Sequence, residues 1–525
     1  MKPRWAVLGS LVSAVALAQS AGAPAVVFSP VADAKVPAGL ALAIQERASA
    51  LVSAVPSHGV VHARQVASMA ERHRVKLDGL SDSNAARKAA ERLGAGLFVA
   101  SSLKPGPGGY QLEWFASKVG GVAFAEGKAA LPAGAALAVQ RGSDALAEGL
   151  LRFDGVKAPL PSRAQPQSAN DAAVVDYAAC ADVLMAQPLG IENPSVLREA
   201  ELAAAIRKCE AAVKADPTFA AGWAALALAA AIHGDDAQAV EALGRAKDEG
   251  GSLPNRTLAR FWLVSRYQSS EAAEQVLAEA VRAEPGAMLM RAYLGELYNT
   301  LGRHADAARV WRAYAADCPS SPFALSRLAY TLARLGQADE AAAFAEKALA
   351  FDPASPDLKL ELASRYLDAG KADQAVATLE PELDKHPSAE LWLRYGYAQL
   401  RRNELGKAQE ALTAAFAAAQ AGTDWRTRSR AKLNLAELAF RQGKKDMAKQ
   451  LLSDSVREGL VARPTPETKE LLALLSPAEL KALAAKGVGL RKESSPFVVE
   501  AGEVAPAAAR PQAPAGFDAV KVKVR

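Results

Sequence analysis

Histidine is the residue type in this chain that could most directly do chemistry, and three of the six histidines lie close together: His58, His62 and His73. The first two flank a short apolar segment that is predicted to be a strand, so they are not the helical i,i+4 pair that holds zinc in many enzymes. No Cys or carboxylate is placed to complete a ligand set. We therefore predict no metal site, and expect the remaining histidines to be solvated near helix turns: His233, His304 and His386.

The sequence also lacks the motifs by which enzymes cradle phosphate, hold zinc beside a base or present a serine nucleophile, namely G-x-x-x-x-G-K-[ST], H-E-x-x-H and G-x-S-x-G. The glycine-rich residues 106–109 and 120–121 are flanked by alternating segments and predict hairpin turns. We therefore predict no catalytic residue and no cofactor, and expect a protein that is not an enzyme.

The composition points to closely packed helices. Half of the 525 residues are apolar, but only 6% are aromatic and alanine is abundant, so the core is expected to consist of small side chains. The net charge is +5 and the two signs are interspersed. This balance predicts no nucleic-acid partner.

The first residues have the pattern of a signal peptide. Lys2 and Arg4 precede an apolar run over residues 5–18, and a small-x-small site predicts cleavage after Ala18 within a signal region of residues 1–23. Export to the periplasm follows, with outer-membrane association left open; an uncleaved, membrane-anchoring start is the alternative. No transmembrane segment is expected after signal removal, because no later segment reaches membrane-spanning length.

The three cysteines are too few for a disulfide scaffold. Cys180 and Cys209 fall on two predicted helices of one hairpin, so an oxidising compartment could link them, whereas a buried free thiol is the alternative. Cys318 is left unpaired in either case.

Residues 24–153 change hydrophobic period several times and predict a small α/β domain. The predicted strands and helices alternate and end in two hairpins and a helix over residues 135–151. Asp82 or Ser83 is expected to cap a helix that runs to Leu93.

This order resembles the exported α/β domain of curli-secretion-type lipoproteins, flagellar outer-membrane proteins and the amino-terminal part of the periplasmic TolB protein. Three segments carry the resemblance: residues 26–28, 59–66 and 93–102. The chain departs from it at residues 28–30, where Phe-Ser-Pro replaces the usual Pro-Phe. The resemblance implies an envelope-associated role.

A ladder of prolines with a step of 34 residues organises the next part of the chain: Pro217, Pro285, Pro319, Pro353 and Pro387, with Gly251 at the missing step. A glycine commonly lies 17 residues after each position of this ladder, and an alanine lies five residues after that glycine. Two helices and a turn fit one period, with the glycine at the chain reversal and the alanine where helix axes approach.

This period resembles that of tetratricopeptide repeats. One unit carries nearly the whole family pattern: Leu294, Gly295, Tyr298, Gly302, Ala307, Trp311 and Pro319. The predicted fold class is therefore mainly α, a tetratricopeptide-like solenoid over residues 172–461 preceded by the small α/β domain. About seven or eight hairpins are expected, with an insertion near residues 187–195 and a slip in the spacing after Pro387.

Three further segments complete the predicted organisation. Residues 154–171 contain three prolines and predict a linker. Residues 462–490 offer helices that cap the last repeat. Residues 491–525 are rich in Ala, Pro and Val, and we expect them to be a disordered tail.

In the family that the repeats resemble, the first helix of each unit lines a concave groove that binds peptides or partner helices. Projecting the ladder places ten residues toward this groove: Trp262, Arg266, Glu296, Asn299, Phe323, Tyr330, Arg334, Arg394, Arg401 and Arg402. Aromatic and arginine side chains commonly carry interface energy, so an acidic or carboxyl-terminal segment would suit the groove. The alternative is that the aromatic residues pack between adjacent units.

Some tetratricopeptide domains clamp an acidic chaperone tail with a pattern of Lys and Asn. The corresponding positions here do not reproduce that pattern: Ala224, Leu228, Ala292 and Glu296. We do not expect this chain to bind a chaperone tail.

The sequence thus predicts an exported periplasmic scaffold that binds proteins during assembly or stabilisation of a cell-envelope complex of the secretion, pilus or motility type. The alternative is a ligand-sensing or enzymatic protein that acts through its N-terminal domain. The partner, the envelope system and self-association are left open.

Overall fold

The structure, a computed structural model, describes residues 24–37, 39–55, 58–63, 65–66, 76, 80–156, 168–185, 199–246, 254–284, 286–421, 425–457, 469–479, 482 and 512–522. Several predicted features lie outside these residues. They are the signal peptide, His73, Gly251, Pro285, most of the linker, the insertion near residues 187–195 and the segment 483–511.

The N-terminal part is built around one mixed sheet. Its strands are β1 (Ala25–Val27), β2 (Val31–Ala32), β3 (Val60–Val61), β4 (Leu97–Gly106), β5 (Gly109–Lys118) and β6 (Phe124–Pro132). The order is β3-β1-β4-β5-β6, and β2 also pairs with β4. The pairs β1–β3, β1–β4 and β2–β4 are parallel, whereas β4, β5 and β6 form the expected antiparallel meander.

Helices cover both faces of this sheet. They are α1 (Leu40–Ser53), α2 (Ser83–Arg92) and α3 (Ala135–Phe153). Helices α1 and α3 bury one face around Val99, whereas α2 buries the other face around Phe98. Asp82 caps α2, because its carboxylate accepts hydrogen bonds from the backbone N–H groups of Asn84 and Ala85.

The described chain from residue 171 to residue 457 is mainly helical, and eight hairpins follow one another there. They are α4 (Asp171–Met185) with α5 (Glu199–Ala215), α6 (Ala220–His233) with α7 (Asp236–Arg245), α8 (Pro254–Tyr267) with α9 (Ser270–Ala283), α10 (Met288–Thr300) with α11 (His304–Asp317), α12 (Pro322–Arg334) with α13 (Ala338–Phe351), α14 (Pro356–Asp368) with α15 (Ala372–Leu379), α16 (Ala389–Arg401) with α17 (Leu405–Ala421), and α18 (Trp425–Arg441) with α19 (Lys445–Arg457). The predicted fold class is confirmed.

The sequence ladder explains where these helices begin, reverse and touch. Ser321 and Ser355 cap helices that have proline in their first turn. Gly302 follows α10 with a φ of +71°, a left-handed conformation that favours glycine. The alanines five residues beyond the glycine step are fully buried, as the close approach of two helices requires: Ala239, Ala273, Ala307, Ala341 and Ala375.

A short helix, α20 (Lys469–Leu472), covers the last hairpin. Leu471 and Leu475 are buried with Leu452 and Val456 of α19. This segment therefore shields apolar surface that the end of a solenoid would otherwise expose.

The expectation that residues 491–525 form a disordered tail is wrong for residues 512–522. In this segment Phe517, Val520 and Val522 are only 3%, 7% and 5% exposed, and they join the core around helices α7 and α8. The Ala- and Pro-rich composition of this segment did not indicate that three of its apolar side chains pack against a distant part of the chain. Composition describes what a segment can bury alone, and these residues bury themselves against another part of the chain.

The N-terminal domain packs against loops between the hairpins. The Val60 N–H donates to the carbonyl oxygen of Gly286, at 3.2 Å, in the loop between α9 and α10. Arg92 forms an ion pair at 3.1 Å with Asp352, which follows α13. The Tyr177 hydroxyl of α4 donates to the carboxylate of Glu46 at 2.7 Å. The domain is thus attached at several hairpins along the solenoid.

In the described part of the chain, no helix combines the length and apolar character needed to cross a membrane.

Candidate protein-binding groove

The first helices of consecutive hairpins lie side by side and form one continuous layer. Helix α6 contacts α8, and α12, α14, α16 and α18 contact one another in turn. All ten predicted groove residues lie on first helices of this layer or at the end of one, on α8, α10, α12 and α16. They do not share one environment, and their contacts divide them into groups.

The aromatic residues Trp262 and Phe323 pack at the edge of the core. The Trp262 ring meets Phe261 edge to face with centroids 5.6 Å apart. Phe323 lies 5.6 Å from the ring of Trp311 and 6.2 Å from that of Tyr314. Both side chains are partly buried against the core, so packing between helices accounts for them.

Two polar groove residues of α10 tie neighbouring hairpins together. Glu296 is buried and accepts two hydrogen bonds from the Arg327 guanidinium of α12, at 2.6 and 2.5 Å. The Asn299 amide donates to the Thr331 hydroxyl at 3.0 Å. Arg266 of α8 similarly pairs with Asp236 at the start of α7. These residues hold adjacent repeats in register.

The arginine-rich end of the predicted groove also has acidic neighbours. Arg401 pairs with Glu437 of α18. Arg402 lies 2.6 Å from the carboxylate of Asp373. These contacts give Arg401 and Arg402 an intramolecular role that the sequence did not reveal.

A different situation holds at the middle of the layer, where Arg334, Arg365 and Arg394 surround Asp368; we call these four residues the arginine cluster. The Arg365 Nε lies 3.2 Å from an Asp368 carboxylate oxygen. Withdrawal from water raises the pKa of Asp368, although the charges of Arg365, Arg394 and Arg334 act in the opposite direction. Arg365 therefore contacts this carboxylate, and the charges of Arg334 and Arg394 act on it as well.

The donors of this cluster are incompletely satisfied. The side chain of Arg365 is 12% exposed. Its Nη1 atom, and the Nε atoms of Arg334 and Arg394, are buried and make no hydrogen bond within the described residues. The Nε atom of Arg365 lies 3.2 Å from Asp368 but is not aligned for a hydrogen bond. Arg394 also forms an ion pair with Glu390 at 2.8 Å. Buried donors without acceptors are costly, and planar guanidinium groups suit a carboxylate or another anion.

The ring of Tyr330 borders the cluster. Its centroid lies 5.7 Å from the guanidinium carbon of Arg365 and 5.8 Å from that of Arg327. Such cation–π contacts restrict the arginine side chains and place an aromatic surface beside the charged one. The cluster therefore combines the residue types that carry energy in protein interfaces.

The sequence reasoning found Arg334, Tyr330 and Arg394 but missed Arg365 and Asp368. Asp368 lies one period of 34 residues after Arg334, so the ladder itself could have located it. Arg365 lies on the same helix, three residues before Asp368, where its guanidinium reaches the Asp368 carboxylate.

The predicted histidine group of the N-terminal domain is not brought together within the described residues. His58 lies 3.1 Å from the Asp154 carboxylate, which also pairs with Lys118 at 2.7 Å. Burial alone would raise the pKa of Asp154, but the hydrogen bonds from Lys118 and His58 outweigh it and lower the pKa. Among the described residues, no group of three or more His, Cys, Asp and Glu side chains is arranged to hold a metal ion.

Comparison with known proteins identifies the repeats. Two tetratricopeptide-repeat family models match residues 268–322 and 332–392. No curated protein matches the chain. Similar solved structures include a tetratricopeptide repeat protein from Parabacteroides merdae, with 15% identity, 53% of this chain and 93% of that chain covered, and a TM-score of 0.36.

Two other similar structures are a thermophilic TPR protein of Thermus thermophilus, with 21% identity, coverage of 38% and 100% and a TM-score of 0.30, and yeast Tom70, with 15% identity, coverage of 66% and 74% and a TM-score of 0.36. The family models agree with the repeat pattern from Leu294 to Pro319 and with the observed helix hairpins. The chain therefore contains tetratricopeptide repeats, over residues 268–322 and 332–392.

Proposed function

We propose that this protein is an exported scaffold that binds an acidic segment of a partner protein through the arginine cluster. Tetratricopeptide repeats are protein-interaction modules, so a protein partner is the general expectation. The observation that carries the finer proposal is the set of buried arginine donors around Asp368 that lack acceptors in the described structure. A carboxylate from a partner would supply those acceptors.

We further propose that the protein acts in the periplasm, where it helps to assemble or stabilise a cell-envelope complex. Association with the outer membrane is a second, separate part of this proposal. The signal-peptide pattern of residues 1–23 is the first support. The second is the disulfide bond between Cys180 and Cys209, which joins α4 to α5. Disulfides persist chiefly in oxidising compartments such as the periplasm. Secretion, pilus and motility machines are the envelope systems that we would test first.

A scaffold without catalytic activity is the function that this site supports. The alternative, a ligand-sensing or enzymatic N-terminal domain, needs a pocket lined by His58, His62 and His73. His58 is engaged by Asp154, and His73 lies outside the described residues. No observation on the described part of the domain favours this alternative.

The proposal is tested by crosslinking the full chain in cells and identifying its partners by mass spectrometry. We compare the native chain with a variant carrying Arg334→Gln and Arg394→Gln. The matched control is Arg312→Gln on α11, a second helix, where Arg312 pairs with exposed Glu340. Export and folding are checked for each chain by fractionation and circular dichroism.

We expect a defined envelope partner to be captured by the native chain and by the control, and to be lost from the double variant. Persistence of every partner in the folded double variant would contradict it. Recovery of the folded native chain in the cytoplasm alone would contradict the proposed location.

A further inference from the structure

The C-terminal segment of residues 512–522 lies on helices α7 and α8 and buries three apolar side chains there. The ring of Phe517 meets Tyr267 edge to face, with centroids 5.5 Å apart. Phe517, Val520 and Val522 all belong to the core cluster that these helices share. Gly516 lies against Val240 of α7. The segment is therefore held like a peptide ligand, although it belongs to the same chain.

The helices recognise the backbone of this segment directly. The Gln268 amide nitrogen donates to the Val522 carbonyl at 2.5 Å, and its oxygen accepts from the Val522 N–H at 3.0 Å. Arg260 donates through Nε to the Val520 carbonyl at 3.0 Å and through Nη2 to that of Lys521 at 3.2 Å. Backbone bonds of this kind accept any sequence, so selectivity comes from the pockets for apolar side chains.

The pattern that fits those pockets is Phe-x-x-Val-x-Val, from Phe517 to Val522. The side chain of Lys521, which lies between the two valines, is 52% exposed. A ligand of this site is therefore a segment that forms a 3-10 turn beginning at a large aromatic residue, with β-branched residues three and five positions later. The charge of such a ligand matters little for binding at this site, whereas a ligand of the arginine cluster must be acidic.

This site is separate from the predicted groove. Arg260 and Tyr267 are seven residues apart and so lie on the same side of α8. The two predicted groove residues of this helix, Trp262 and Arg266, lie about 160° and about 120° from Arg260 around the helix axis. The segment therefore occupies a different face of α8 from the one that the repeat ladder assigns to the groove.

A long connection separates this segment from the rest of the described chain. Residues 483–511 join it to the region of the capping helix. The cost of closing a connection grows only slowly with its length, and a tethered ligand reaches an effective concentration on the order of millimolar. The chain's own segment thus competes strongly with any partner that has the same pattern.

We propose that helices α7 and α8 carry a second peptide-binding site, which takes a turn-forming Phe-x-x-Val-x-Val segment of a partner protein and is covered in the free chain by residues 517–522. A partner binds only by displacing this segment, so the segment raises the partner concentration that is needed. The site is independent of the arginine cluster and does not rest on the function proposed for it.

The test uses the full chain and a fluorescent peptide of residues 512–525, with binding followed by anisotropy. Three chains are compared: the native chain, a tail variant with Phe517→Asp and Val520→Asp, and the tail variant with Gln268→Ala added. A peptide that carries the same two Asp substitutions is the specificity control. The tail variant is expected to bind the native peptide at least ten times more tightly than the native chain does, and Gln268→Ala is expected to remove this gain.

Hydrogen exchange of the native chain supplies a second measurement that needs no change in the tail. The Val522 amide is expected to exchange slowly, and Gln268→Ala is expected to accelerate it severalfold. Equal peptide binding by all three chains would overturn the proposal, as would equal binding of the control peptide. Rapid exchange at Val522 in the native chain would do the same.

Discussion

At the scale of single residues, Cys318 shows how burial controls chemistry in this protein. The side chain is fully buried beside Asp317, which forms an ion pair with the fully buried Arg291. Burial, and then the negative charge of Asp317, raise the pKa of the Cys318 thiol well above its usual range. The reactive thiolate is therefore not formed near neutral pH. The other two cysteines are joined to each other.

This arrangement predicts the outcome of a thiol titration. The native protein should show no rapidly reacting thiol, because Cys318 is buried and Cys180 and Cys209 are bonded. Unfolding without a reductant should release one thiol per chain, and reduction should raise the number to three. The measurement is a titration with a chromogenic disulfide reagent in denaturant. Three thiols in the unreduced, unfolded chain would show that the disulfide does not form.

The arginine cluster shows what could be predicted at this scale. The residue types and the 34-residue ladder located Arg334 and Arg394, because both lie on first helices of the repeat. The sequence could not show that Arg401 would be paired by Glu437, which lies on the next hairpin. The sequence analysis also missed Asp368, although the 34-residue ladder leads from Arg334 to this position. The sequence therefore identified which types of residue lie along the groove, but it did not show which of them are already paired within the chain.

At the scale of secondary-structure elements, small residues let the two helices of a hairpin approach each other. Gly295 of α10 faces Trp311 of α11, and a Cβ on Gly295 would lie 2.6 Å from the Trp311 ring. Trp311 is fully buried, so the ring has little room to move away. Ala307 on the same second helix is also fully buried. The close approach therefore depends on the absence of a side chain at position 295.

Gly295→Ala is predicted to lower the free energy of unfolding by about 1–3 kcal/mol, because the added methyl group overpacks this contact. The matched control is Gly244→Ala in α7, where an added Cβ meets no atom within 4 Å. That change should stabilise the protein by roughly 0.5–1 kcal/mol, since alanine favours the helix over glycine. Urea unfolding followed by circular dichroism measures both. A Gly295→Ala chain as stable as the native protein would refute the packing account.

The elements themselves were largely predictable, whereas their distant contacts were not. The 34-residue period, the residues that cap helices and the positions of glycine identified the helix hairpins, because these signals act within one or two repeats. The segment from Phe517 to Val522 was missed because its partners lie far away in the sequence, with Arg260 as an example. Composition alone therefore underestimates order wherever a short apolar segment finds a surface on another part of the chain.

At the scale of the whole molecule, the N-terminal domain is joined to the solenoid through close backbone contacts. A Cβ on Gly286 would lie 2.8 Å from the Cα of Gly59, and a Cβ on Gly94 would lie 2.6 Å from the Cβ of Cys318. The Ser320 hydroxyl also donates to the Glu91 carbonyl at 3.2 Å. These contacts involve loops between hairpins, whereas the arginine cluster lies on first helices. The molecule thus separates the surface that positions its N-terminal domain from the surface that we propose binds a partner.

The central claim at this scale is that the solenoid binds an acidic segment through the arginine cluster. Two opposite changes test its charge dependence. Replacing Arg334 and Arg394 by Gln removes cationic donors, whereas Asp368→Asn removes the carboxylate on which their charges act. A merely structural cluster would not respond to these changes in opposite directions.

The most direct measurement is the affinity of the purified full chain for a fluorescent hexaglutamate peptide, at low and at raised salt. The Arg334→Gln, Arg394→Gln chain should bind about tenfold more weakly or worse, since charged hydrogen bonds contribute about 1.5–3 kcal/mol each. The Asp368→Asn chain should bind roughly threefold more tightly, because one repulsive charge is removed. The Arg312→Gln control should match the native chain, and salt should weaken binding throughout. Equal affinity of the native chain and the double arginine variant would contradict the account.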